Sequence, residues 1–214
     1  MSAAPVEPPQ HSREVPATTL LEAANKFTEL NPGYRAEIIG GILTVTPPPD
    51  GAHGLVLTEL MIPFLTAGLQ GPESKIIQGL GLWLPGGAED FAVPDLAVVD
   101  ADFQEHLIEN NCYDPISFRL VLEVTSSNYN NDLRLKVGAY AQAMVPVYVI
   151  VNRKHQRVHV LTEPAGGEYG SHRVYSPGEL ATLPDTLGAK VTLDVGELLA
   201  AGRPQPKKPA PQEQ

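Results

Sequence analysis

The chain has one cysteine, Cys112, in 214 residues. A lone thiol forms no internal disulfide and no thiolate metal cluster, so the composition fits a reducing cytoplasm, and Cys112 reads as a small core or loop residue. No run of about 18 apolar residues occurs, which excludes an ordinary membrane-spanning helix. The opening MSAAPVEPPQHSREVP lacks both the basic start and the apolar centre of a signal peptide, and a cytoplasmic location is expected. Basic residues are also scarce, with 15 Lys and Arg against 25 Asp and Glu and a formal net charge of -10. That balance excludes a general nucleic-acid coat protein, whose affinity comes from many cationic contacts to phosphate. Any contact with nucleic acid is confined to a small part of the surface. Nucleotide signatures are missing too: GLGLW lacks the third glycine and the following helix of a dinucleotide site, and there is neither a P-loop nor a serine elbow.

What remains is the composition of a soluble globular protein, with 43% hydrophobic and 19% charged residues, enough for one well-buried domain. Residues 1–16 and 201–214 are rich in proline and polar residues and read as disordered tails, leaving 17–200 as the folded domain. TTLLEAANKFTEL predicts a first helix behind a Thr cap, and YRAEII and ILTVT around Gly40 and Gly41 predict a hairpin. GLVLTELMIPFLTAGL predicts a second helix limited or bent at Pro63. KIIQGLGLWL and AVPDLAVVD follow as strands. RLVLEVT, the helix DLRLKVGAYAQAM and VPVYVIV then form a crossover with parallel strands. RKHQRVHVLTE and EYGSHRVYS add antiparallel strands at the edge. The expected fold is α/β, a central mixed sheet flanked by helices with β-hairpin extensions.

Charge inside this frame marks the chemistry. Glu123 stands among the apolar residues of RLVLEVT, on one face with Val121 and Thr125, where an ionised carboxylate is costly without a cation or hydrogen bonds. At about 100° per residue, Lys136 falls inside the apolar stripe of the following helix, facing the sheet and Glu123. Asp95, after Pro94 at a strand entry, converges with Glu123 if their strands are adjacent. Two carboxylates and the carbonyl of Val124 then make a hard-oxygen site for Mg²⁺. Asp132, four residues before Lys136, is placed to hold its ammonium.

YRAEIIGGILTVTPP followed by His53, then VPDLAVV, LVLEVTSS, NDLRLKVGAYAQAMVPVYVIV and EYGSHRVY, is an ordered set covering about 30–200. It resembles the PD-(D/E)XK nuclease superfamily and, more closely, its Uma-type restriction endonuclease family, found largely in bacteria. The resemblance implies a restriction-endonuclease-like core and Mg²⁺-dependent hydrolysis of phosphodiester bonds, in DNA, with Mn²⁺ as a substitute metal. Asp95 and Glu123 would bind the metal and Lys136 would be the catalytic lysine. Glu37 and His53 also match the family pattern, as supporting candidates. The superfamily's lysine two residues after the acid is Thr125 here, whereas the Uma-type pattern supplies it from the following helix, as Lys136 does. A homodimer would suit cutting both strands. On these expectations, Glu123→Ala or Lys136→Ala abolishes cleavage and leaves the fold intact.

Each position also has a plainer reading. Lys136 with Asp132 alone is an exposed ion pair of about 0.3–0.5 kcal/mol, and Asp95 alone is a turn or cap residue. Glu123 with Lys136 is a structural salt bridge. Glu37 and His53 are a hairpin surface carboxylate and a solvated histidine, and His155, His159 and His172 are scattered surface histidines. At the level of the protein, the competing reading is a catalytically inactive binding or regulatory module on a nuclease fold, which the acidic net charge favours.

Overall fold

The computed structural model describes residues 19–125 and 132–203, with backbone only at 132 and 133. Helix α1 (Leu20–Leu30) begins at a capping box, Thr19 accepting from the Glu22 amide while the Glu22 carboxylate accepts from the Thr19 amide. The carboxylate of Glu89, far along the chain, also accepts from the amides of Leu20 and Leu21. Strands β1 (Arg35–Ile39) and β2 (Ile42–Thr46) form the predicted hairpin. Its turn residues Gly40 and Gly41 have φ of 60° and 71°, and the Asp90 carboxylate accepts from both their amides at 2.7 and 3.1 Å. Helix α2 (Gly51–Thr66) starts three residues before the expected Gly54 because Asp50 caps it, and it continues past Pro63 to Thr66.

Next come β3 (Ser74–Gln78), β4 (Gly81–Trp83), β5 (Phe91–Ala92), β6 (Leu96–Asp100), β7 (Leu107–Glu109), β8 (Cys112–Tyr113) and β9 (Phe118–Thr125). A π-helical turn, Asp132–Lys136, leads into α3 (Val137–Gln142). The chain ends in β10 (Val147–Asn152), β11 (Arg157–Ala165), β12 (Glu168–Tyr175), β13 (Leu180–Thr182), β14 (Thr192–Asp194) and α4 (Val195–Ala201). Helix α3 stops in a Schellman turn, with the Val145 amide donating to Tyr140 and the Met144 amide to Ala141. Met144 takes the left-handed position, φ 58°, where glycine is usual.

The α/β class and the mixed sheet hold, but among the described residues the strands divide between two six-stranded sheets and one small two-stranded one. One large sheet runs β12-β11-β10-β9-β6-β3 and the other β2-β1-β5-β4-β8-β7. KIIQGLGLWL, expected as a single strand, breaks at Gly79, φ 64°, so that β3 joins the first sheet and β4 the second. Helix α3 carries the chain between parallel neighbours β9 and β10, as the crossover reading requires, and β11 and β12 extend the sheet antiparallel.

The central strands β6, β9 and β10 of the first sheet are buried on both faces, which is why VYVIV shows no alternation. Leu96, Leu120, Leu122, Val149 and Val151 pack against Val56, Leu60 and Phe64 of α2. The opposite face, with Ala97, Val121 and Ile150, meets Tyr140 of α3 and Leu82 of the second sheet. Ala24 of α1 covers Ala36 and Ile38 of β1. Cys112 lies in the core, its thiol pushed up to about 12 by burial. Among the described residues no helix is long and apolar enough to cross a membrane.

Candidate active site

Strand register brings the two acids together. In the antiparallel pair β6/β9, Leu96 faces Leu122 and Ala97 faces Val121. One step further along the same ladder sets Asp95 opposite Glu123, on the face they share with Ala97 and Val121. Arg35 and Glu37, two apart on β1, point the same way, because Ala36 and Ile38 are committed to the packing beneath α1. His53 comes from the first turn of α2 and Lys136 from the end of the π turn. All six, with Thr125, line one cavity of about 570 Å³.

Lys136, only 4% exposed, sits between two buried carboxylates: its Nζ donates to Glu123 Oε1 at 2.7 Å and to Glu37 Oε1 at 2.9 Å. The amide of Val93 also donates to Glu37 Oε1, at 2.7 Å. Tyr140 Oη donates to Glu123 Oε1 at 3.0 Å. Burial, reinforced by the charges of Glu123 and Glu37, holds the Tyr140 phenol well above its ordinary value, so it remains a donor. Replacing Tyr140 by Phe keeps the ring against Tyr148 and removes only this donor. The expected loss is about 1.5–3 kcal/mol, as for hydrogen bonds to charged groups. An unchanged urea midpoint in Tyr140→Phe would show that this bond contributes nothing.

Asp95 is held on three sides. Arg35 Nη1 donates to Oδ1 at 2.8 Å, the Val124 amide donates to Oδ2 at 2.8 Å, and His53 Nε2 lies 3.4 Å from Oδ2. Burial by itself raises its pKa, but the His53 hydrogen bond and the Arg35 charge outweigh it, and the carboxyl lies well below the usual range. It is ionised at any physiological pH. Arg35 is likewise affected first by burial, which lowers its pKa, and then more strongly by Glu123, Asp95 and Glu37, which together raise it.

The sequence expectations meet this geometry unevenly. Asp95, Glu123, Lys136, Glu37 and His53 do line one cavity. Glu37 is 4% exposed and bonded to Lys136, so the reading of a surface carboxylate is corrected, and His53 is engaged with Asp95. The pairing of Asp132 with Lys136 lies outside the described residues. The expectation that Lys136→Ala leaves the fold untouched is revised, since the Lys136 ammonium is bonded to two buried carboxylates. The histidines of the late hairpin are not all surface residues. His159 is 6% exposed, and its Nδ1 lies 2.9 Å from His172 Nε2. Burial first, then His172, lowers the His159 pKa to about 4. Arg35 and Tyr140 were not anticipated. The available signals were spacing, Arg35 two residues before Glu37 on one strand face and Tyr140 four after Lys136 on one helix.

A crystal structure of a "putative nuclease belonging to DUF820" from Anabaena variabilis superposes with a TM-score of 0.61, covering 79% of this chain and 92% of that one at 16% identity. At that identity the likeness establishes the fold. No curated protein matches the chain significantly. The family profile described as "Putative restriction endonuclease" matches residues 21–196, nearly the whole of the described fold, and the chain therefore belongs to that family, Uma2.

Proposed function

We propose that the protein is a metal-dependent endonuclease that hydrolyses phosphodiester bonds in DNA at the Asp95, Glu123 and Lys136 cavity. The observation that carries this reading is a buried ammonium 2.7 Å from Glu123, in a cavity that also holds the ionised Asp95. Membership of a restriction endonuclease family supports it.

The donor chemistry fits Mg²⁺ or Mn²⁺. Among the described residues Asp95 accepts three contacts, where a carboxylate offers about four acceptor sites, which leaves one position for a cation. The carbonyl of Thr125 accepts from the Arg153 amide on the β10 side, so alternation turns the Val124 peptide toward Asp95, where its amide already donates. Its carbonyl faces the same side. Among the described residues no three His, Cys, Asp or Glu side chains form a metal cluster. Asp95, Glu123 and the Val124 carbonyl are thus the set that would hold the ion, with water completing it, as Mg²⁺ ordinarily keeps several waters. The ion would supply Lewis-acid polarisation of the phosphate and a water of lowered pKa. Lys136 brings positive charge to the oxygens that become more negative as the phosphorus is attacked, and Glu37 holds that ammonium in place. Arg35 and His53 keep Asp95 ionised and fixed.

The inactive-module reading draws on the net charge of -10 and on the closure of Lys136 between two carboxylates. Incubating plasmid and single-stranded DNA with the purified protein and Mg²⁺ or Mn²⁺, beside Lys136→Ala shown by circular dichroism to be folded, decides between them. Cleavage by the parent and none by the variant is expected. Equal cleavage by both would remove Lys136 from the chemistry, and none under any metal condition would leave the binding module.

A further inference from the structure

Two buried side-chain donors of residues lining this cavity have no hydrogen-bond partner among the described residues: Arg35 Nε and Thr125 Oγ1. Thr125 is 3% exposed and stands on the face of β9 that carries Glu123. A buried polar atom left unsatisfied is destabilising, and native proteins tolerate few of them outside functional sites. Arg35 shows a further asymmetry. Its Nη1 is committed to Asp95 at 2.8 Å, while the other edge of the guanidinium, Nε with Nη2, has no partner among the described residues. That edge is a planar fork with the spacing of two oxygens on one atom, the geometry of a phosphate or a carboxylate. About a quarter of the Arg35 side chain, 28%, remains exposed.

We infer that the Nε/Nη2 edge of Arg35 and the hydroxyl of Thr125 bind the non-bridging oxygens of a phosphodiester seated in the cavity. The inference rests on the nuclease reading for its substrate but not for its geometry. Arg35 then has two tasks, fixing Asp95 with one edge and substrate with the other. Thr125, at the position where the wider superfamily places lysine, contributes a neutral donor in place of a cation. Lys136 is left to the reacting phosphate.

The test is binding of diethyl phosphate and of a short single-stranded DNA to the full chain without divalent metal. It is followed by calorimetry and by the NMR signal of the Arg35 Nε–H group, for the parent, Thr125→Val and Arg35→Lys. Thr125→Val keeps the shape and deletes a hydroxyl that has no partner among the described residues, so its thermal midpoint should equal or exceed the parent's. Its affinity should fall about tenfold, and that of Arg35→Lys about tenfold or more, as expected for hydrogen bonds to a charged group. Saturable movement of the Arg35 signal completes the expected result. An Arg35 signal unmoved at saturation, or parental affinity in Thr125→Val, overturns the inference. Thr125→Val keeps the test decisive even if Arg35→Lys does not fold. DNA cleavage is scored separately. A parent that cleaves while Thr125→Val binds normally sinks this inference alone. A parent that never cleaves, with binding weakened in Thr125→Val, sinks the nuclease reading alone.

Discussion

Lys136→Met should be the most damaging single change in the molecule, losing both stability and cleavage. Methionine fills nearly the same volume but leaves Glu37 and Glu123, 4% and 2% exposed, facing each other without the ammonium that lies 2.9 and 2.7 Å from them. Removing one partner from a buried ionic cluster typically costs about 3–5 kcal/mol, a large share of the roughly 5–15 kcal/mol that holds a domain folded. Equilibrium unfolding in urea measures the loss. Adding Glu37→Gln to the variant removes one of the opposed charges and should restore part of the stability without restoring cleavage. If the double variant is as unstable as the sum of its two single changes, the Glu37–Lys136 contact carries no coupling energy and this account of the cluster fails.

Asp95→Asn ranks second, and its signature is in the pH dependence. The folded Asp95 carboxyl lies well below its ordinary value, near 3.9 in an unfolded chain, because His53 and Arg35 outweigh its burial. A group whose pKa is depressed on folding contributes stability that is fully present above the unfolded value. The contribution is lost as the pH falls from about 4 through the lower folded value. At neutral pH the variant should therefore be less stable by about 3 kcal/mol or more, with Arg35 deprived of its counter-charge. The gap should narrow steadily from about pH 4 downward, as the parent alone loses this contribution. Urea unfolding over an acid series reads it directly. A gap that stays constant between neutral and strongly acid pH would mean that the ionised carboxylate is not what stabilises the site.

The two predictions draw unequally on the sequence. Local rules reach the elements whose signals are complete within a few residues. The Gly40–Gly41 pair specifies the hairpin, Thr19 with Glu22 the start of α1, and the apolar run VYVIV a strand covered on both faces. Glu123 was visible for the same reason: a charge within an apolar strand is a local anomaly, and its cost demands a partner wherever the strand lies. Lys136 followed from helical periodicity, although the turn that presents it is π-helical.

Other features depend on long-range pairing and had no local sign. Gly79 divides one apparent strand between two sheets because β3 and β4 pair with different partners, β6 and β5, and pairing is a property of both strands. Glu37 looks like any hairpin carboxylate until Lys136, 99 positions away, reaches it. His159 reads as a surface histidine until β12 brings His172 within 2.9 Å.

By itself the sequence determined the first two helices, the hairpin, the crossover from β9 through α3 to β10 and the late edge strands, but not β7, β8, β13, β14 or α4. It also determined that a carboxylate and a lysine would have to meet inside the fold, since periodicity and desolvation cost are written into neighbouring residues. Only the tertiary structure decided which carboxylates share that lysine, that Arg35 meets Asp95 through Nη1 while its Nε has no partner among the described residues, and that the buried Thr125 hydroxyl has none among them either. These follow from strand register and from the packing of β1 against β5 and of β6 against β9, which place residues tens of positions apart within hydrogen-bond reach.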